Sequence, residues 1–129
     1  PGISQYNSGV KLMKQGKYEK AEKEFEAALK KAPNLAEAHN NLGYSLRKQG
    51  PQNYERALTH YNRAIELKSD LAEAYMYRGV LHALMGNEGK ALEDHSKLNQ
   101  LDLGLANALQ AAIASGEEPE GLDGLVNTW

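Results

Sequence analysis

Three glycines and three alanines recur at nearly one interval along this chain, and that period constrains its fold more than any other feature. Gly9, Gly43 and Gly79 are 34 and then 36 residues apart, and Ala21, Ala57 and Ala91 are 36 and then 34 apart. The stretches GVKLMKQGKYEKAEKEFEAALKKAPN, GYSLRKQGPQNYERALTHYNRAIELKSD and GVLHALMGNEGKALEDHSKLNQLD are three versions of one pattern. A repeat of this size is a supersecondary unit that cannot bury its apolar face alone and must stack on its neighbours. The Gly-to-Ala distance is 12, 14 and 12, so two extra residues lie in the second unit alone. The break GPQN at residues 50–53 is the expected place, because a turn absorbs an insertion at small entropic cost.

Each unit reads as a helical hairpin. In the first, a leading helix spans residues 3–15 and breaks at Gly16, a natural helix end. A second helix spans 18–31 and stops before Pro33, which disfavours helix in the residue preceding it. Gly50 and Gly86 repeat the Gly16 break. Ala21, Phe25 and Ala28 stand at i, i+4 and i+7, one face of a helix. Ala57, Tyr61 and Ala64 copy that face, and Ala91, His95 and Leu98 copy it less well. The opposite face, with Glu22, Lys23 and Glu26, reads as solvated. Residues 103–115 (LGLANALQAAIAS) form one more helical pattern, expected to cap the last apolar face as repeat arrays require. Residues 116–129 read as a non-helical acidic and apolar tail.

The repeated residues resemble the tetratricopeptide repeat, over residues 2–105. The resemblance implies an all-α fold, a right-handed superhelix of three tetratricopeptide helix hairpins (2–35, 36–71 and 72–105) plus the C-terminal capping helix. It also implies leading helices that line a concave groove. The sequence departs from the family pattern in places. The large residue four places before each glycine is Gln5, His39 and Tyr75, the family proline occurs only at Pro33, and Glu88 replaces the aromatic at Tyr18 and Tyr54.

Counting from the glycines by helical periodicity, the groove is expected to carry Tyr6, Val10 and Met13 from the first unit. The second contributes Asn40, Asn41, Tyr44, Arg47 and Lys48, and the third Met76, Tyr77, Val80 and Ala83. Aromatic residues and adaptable methionines are enriched at binding surfaces, and Asn amides pair with an extended peptide backbone. The expected function is therefore a protein–protein interaction module that holds a partner's peptide segment in a scaffold or adaptor role. Some family members grip the acidic tails of chaperones through a clamp of Lys, Asn, Asn, Lys and Arg. In register those positions fall on Tyr6, Val10, Asn41, Glu73 and Tyr77, of which only Asn41 matches. Glu73 places a negative charge where the clamp is positive, so chaperone-tail binding is disfavoured.

Other functions find little support. The chain has 15 Lys+Arg against 17 Asp+Glu, a net charge of −2, which gives no basic patch for nucleic acid. No apolar run approaches the roughly 20 residues of a membrane span. With no cysteine, thiolate metal sites are excluded. There is no nucleophile elbow, no HExxH and no phosphate-binding glycine loop, so neither enzymatic activity nor a cofactor is expected. His82 and His95 occupy inward faces of the third unit and could approach each other. They lack a third metal ligand, because Glu88 and Asp94 are expected to face outward, and read as core histidines. His39 and His60 have no evident partner.

The alternative function lies in the tail. Leu122, Leu125, Val126 and Trp129 are an apolar set without a helix, able to fill the chain's own groove or that of a second copy, giving self-occlusion or homo-oligomers. The chain opens on Pro1, so any export signal would lie upstream, and localisation is open between cytoplasmic and exported.

Overall fold

The breaks predicted at Gly16 and Gly86 are left-handed turns, with φ of +76° and +81°, a conformation glycine adopts without steric cost. At both, the residue after the glycine donates back along the chain: Lys17 N–H to Leu12 O at 2.9 Å and Asn87 N–H to His82 O at 2.7 Å. This is the Schellman closure of a helix end. It reverses the chain tightly enough for two helices to lie side by side.

In a computed structural model that describes residues 1–117, these reversals join α-helices 1 to 2 and 5 to 6 in a row of seven. They are α1 (Ile3–Lys14), α2 (Tyr18–Lys31), α3 (Ala36–Arg47), α4 (Tyr54–Leu67), α5 (Ala72–Leu84), α6 (Glu88–Leu101) and α7 (Leu103–Ser115). No strand occurs among the described residues. The predicted first helix is one residue shorter than expected, with Gln15 as its cap. The two-residue insertion of the second unit is housed in a 3-10 turn over Pro51–Asn53, leaving α3 and α4 uninterrupted. Asp102 alone joins α6 to α7, and its carboxylate accepts from Leu105 N–H at 3.1 Å, an N-cap that starts the last helix.

The hairpins α1/α2, α3/α4 and α5/α6 pack through the small-residue seam. Ala21, Phe25 and Ala28 are fully buried in α2, as are Ala57, Tyr61 and Ala64 in α4. Each leading glycine is the seat for a large side chain. A Cβ on Gly9 would lie 2.6 Å from the Phe25 ring, and one on Gly43 would lie 2.9 Å from the Tyr61 ring. The third hairpin differs. There the seat at Gly79 is taken by Leu109 of α7, 2.6 Å from the position a Cβ would occupy. The predicted occupant in α6, His95, is only partly buried. The capping helix thus supplies the large residue that the degenerate third unit lacks.

Successive helices joined by such short connections run antiparallel, so α1, α3, α5 and α7 share one direction. Their C-terminal ends, carrying Lys14, Arg47 and Lys48, lie at the same end of the row.

Candidate functional site

The leading helices set side by side the residues predicted for the groove. Asn41 of α3 donates from Nδ2 to the Tyr6 hydroxyl of α1 at 3.2 Å, and Asn40 donates from Nδ2 to Asn41 Oδ1 at 3.0 Å. Tyr44 of α3 meets Tyr77 of α5 edge to face, with ring centroids 5.0 Å apart. Tyr18, at the start of α2, closes on the other side of Tyr44 at 6.1 Å. The Arg47 guanidinium lies 5.1 Å over the Tyr44 ring, and the Lys48 ammonium sits within 6 Å of both Tyr18 and Tyr44 (5.8 and 5.9 Å). Cations over aromatic faces are held by the ring quadrupole. The result is an amide ladder at one end of the face and a cationic aromatic cluster at the other.

Burial is deeper than a solvent-lined groove would show. Tyr6, Val10, Asn40 and Asn41 are 0% exposed, and Met13, Tyr44, Tyr77 and Val80 are 1% exposed. Met76 and Arg47 are also buried, Ala83 is half-buried, and Lys48 alone of the predicted set is exposed. Most of these side chains are therefore enclosed. In α3 every residue from Asn40 to Arg47 is buried, a pattern expected of a helix surrounded on all sides. Within this enclosure the Asn40 side-chain oxygen has no hydrogen-bond partner among the described residues. A buried, unpaired amide acceptor costs on the order of 1–3 kcal/mol; a backbone N–H could relieve that cost.

Electrostatics divide the face. Burial, and then the negative charge of Glu37, push the Tyr6 hydroxyl well above the usual phenol range, against the lowering effect of its Asn41 hydrogen bond; Glu73 adds to the rise. The negative potential of Glu37 and Glu73 thus reaches the α1 end of the amide ladder. The cations Lys14, Arg47 and Lys48 stand at the other end of their helices.

Two side-chain groupings depart from the sequence expectations. His82 and His95 are not a pair: no hydrogen bond or ring contact joins them among the described residues. The stacked histidines are His39 and His60, which had no evident partner, with ring centroids 5.3 Å apart and Nδ1 atoms 3.0 Å apart. His39 Nε2 lies 3.0 Å from the Pro33 carbonyl, which can only accept. The proton of neutral His39 is therefore on Nε2, and His60 must donate from Nδ1 to His39 Nδ1. Desolvation lowers the affinity of both rings for a further proton, taking His60 to about 4 and helped there by the like charge of a protonated His39.

Asp94, expected to face outward, is 2% exposed. Arg78 of α5 grips it with two bonds, Nε to Oδ2 at 3.0 Å and Nη2 to Oδ1, and also donates to Asn62 Oδ1 at 3.1 Å. The side chains of this cluster, with Leu58, His82, Lys90 and Glu93, line a cavity of about 270 Å³. No group of three or more His, Asp or Glu able to hold a metal ion occurs among the described residues. Tyr18, outside the predicted groove set, joins the cluster; its sequence signal is the aromatic that opens the second helix of the first unit and recurs at Tyr54 in the second. Leu122, Leu125, Val126 and Trp129, the predicted tail set, lie outside the described residues.

No described helix is long and apolar enough to cross a membrane. No curated protein matches the chain. Among solved structures, the first tetratricopeptide domain of Spaghetti (RPAP3), bound to the HSP90 peptide SRMEEVD, superposes with a TM-score of 0.80 at 20% identity. That match covers 89% of this chain and 91% of the other. The second such domain of the same protein, bound to the same peptide, gives 0.73 at 26% identity, over 78% of this chain and 92% of that one. The sequence profile described as tetratricopeptide repeat matches residues 6–69 and 52–95. With the glycine seats and stacked hairpins in place, this chain belongs to the tetratricopeptide repeat family.

Proposed function

We propose that the face formed by α1, α3 and α5 binds an extended peptide segment of another protein, and that the chain is a non-catalytic interaction module. The observation that carries this reading is the Asn40 side-chain oxygen, enclosed and without a hydrogen-bond partner among the described residues, on the same helix as Tyr44 of the aromatic cluster. A peptide backbone offers the N–H that this oxygen lacks, and aromatic faces accept apolar side chains without demanding one sequence. The similar domains of Spaghetti (RPAP3), each bound to a peptide, support the class of ligand.

The ligand proposed here differs in chemistry from an acidic chaperone tail. At the amide ladder, Tyr6, Val10, Glu73 and Tyr77 stand where a carboxylate clamp would need other groups, and Glu37 and Glu73 make that end repel anions. An apolar or aromatic side chain is favoured there, with any acidic residues of the ligand near Arg47 and Lys48.

A peptide array followed by titration calorimetry tests the reading. Asn40→Ala is expected to weaken the best peptides about tenfold, the equivalent of one hydrogen bond at about 1.4 kcal/mol. Tyr44→Ala with Tyr77→Ala is expected to abolish them. Unchanged peptide affinity in both folded variants would refute the assignment.

A further inference from the structure

We infer that the cavity bordered by α4, α5 and α6 is a second binding site, and that its ligand is a carboxylate, carried by an acidic side chain of a partner protein or by a free dicarboxylate. The site is separate from the peptide-binding face. Helical residues advance about 100° each, so Arg78 and His82 stand about 100–160° around α5 from Tyr77 and Val80.

The two seams of the array share one register and are filled differently. Between the first and second units, Leu42 and Leu46 of α3 are 1% and 0% exposed. Arg56 of α4 reaches back to Glu22 and Glu26 of α2 at 3.3 and 3.6 Å. Counted from Gly79, Ala57 and Ala91, the same positions of the next seam are Arg78 and His82 on α5, Leu58 and Asn62 on α4, and Lys90 on α6. All five line the cavity, with Glu93 and Asp94. A leucine floor has become polar there, at the expense of apolar burial. Lys90 has a neutral pair across the seam where its counterpart Arg56 has two acids, and no ion pair holds it among the described residues. A ligand carboxylate would take the place that Glu22 and Glu26 fill in the first seam.

Donors remain for such an acceptor. Arg78 commits three N–H groups, two to Asp94 and one to Asn62, whereas a guanidinium carries five. Asn62 accepts at Oδ1 and offers its Nδ2 protons. His82 Nδ1 is enclosed and has no partner among the described residues, so the proton of the neutral ring belongs on Nε2. Two carboxylates oppose the ligand. Asp94 is neutralised by its paired bonds from Arg78, and Glu93, exposed on the helix that carries Lys90, keeps the affinity modest. The volume of about 270 Å³ admits a carboxylate-bearing side chain.

NMR titration of the ¹⁵N-labelled full chain tests the site with two probes, sodium glutarate and the capped peptide acetyl-Gly-Glu-Glu-Gly-amide. Glutaramide and the glutamine version of the peptide are the neutral controls. Saturating shifts are expected at the amides of Asn62, Arg78 and Lys90, with a Kd on the order of 1 mM. Lys90→Gln, at an exposed position, should weaken binding at least about fivefold. Asn62→Glu, also exposed, copies Glu26, supplies the acid internally and should abolish binding. Lys48→Glu, on the other face, should leave it unchanged. Saturation by glutarate alone assigns a free dicarboxylate and saturation by the peptide assigns an acidic side chain; either supports the site. No shift with either probe, equal shifts with the neutral controls, or binding unchanged in Lys90→Gln and Asn62→Glu overturns the inference. Binding lost in Lys48→Glu moves the ligand to the other face and overturns it as well.

Discussion

Gly9→Ala adds one methyl group and should destabilise the protein, although the same change in an ordinary helix stabilises. The new Cβ would lie 2.6, 2.8 and 2.9 Å from three carbons of the Phe25 ring, against an optimum near 3.5–4.0 Å. The ring must withdraw by close to an ångström. It is fully buried and packs against Tyr6 at a centroid distance of 5.8 Å, so it has no free space to enter. Overpacking of this kind costs about 1–3 kcal/mol. The replacement of glycine inside a helix returns up to about 1 kcal/mol, leaving a net loss of about 1–2 kcal/mol. For a chain of this size that is a fall in Tm of roughly 3–8 °C. The internal control is Gly89→Ala in α6, where no atom lies within 4 Å of the added Cβ; it should raise stability by about 0.5–1 kcal/mol. Phe25→Leu provides the second arm, because a smaller side chain vacates the seat. In a double-mutant cycle the Gly9→Ala penalty should shrink by at least about 1 kcal/mol in the Phe25→Leu background. Urea unfolding followed by circular dichroism reads the parent and all four variants. A Gly9→Ala variant as stable as the parent, or a cycle with no coupling, would refute the claim that the glycine is a steric seat.

Acid should unfold this protein through its histidine pair. His39 and His60 have folded-state proton affinities below the unfolded value of 6.5, with His60 near 4. Their contribution is therefore complete above pH 6.5 and is lost as the pH falls from 6.5 toward 4. A decrease of about 1–2 kcal/mol is expected over that window, allowing for the partial exposure of the rings. His60→Gln should flatten the pH profile of urea midpoints, and an unchanged slope would exclude the pair as its source. Arg78→Met should cost about 2–4 kcal/mol, since it strands the buried Asp94 carboxylate. Combining it with Asp94→Leu should restore part of the loss in thermal melts, and no restoration would show that the pair is not coupled.

How much of this was legible in the sequence differs between the fold and the site. The hairpin boundaries were readable because their causes are local. Gly16 and Gly86 permit a left-handed turn, Pro33 blocks helix continuation, and the alanine seam recurs at helical spacing. The predicted second helix of 18–31 and the capping helix of 103–115 coincide with α2 and α7. The side-by-side placement of part of the predicted stripe was readable, since Asn41 and Tyr77 each stand two residues before their repeat glycine, with Tyr6 one position earlier in its own copy.

Which side chains meet across helices was decided by the tertiary structure. Ala91 and Leu98 keep the predicted inward face of α6, and Asp94 and His95 stand on its two flanks, one step of about 100° apart; Asp94 is the flank that is buried. The packing of α5 and α7 against α6 pairs Arg78 with Asp94 and fills the Gly79 seat with Leu109, and no local signal encodes it. His39 and His60 are 21 residues apart and meet only because α3 and α4 close as a hairpin. Chain-local sterics thus wrote the repeat into the sequence, while the angles at which the helices settled against one another chose which polar groups were enclosed.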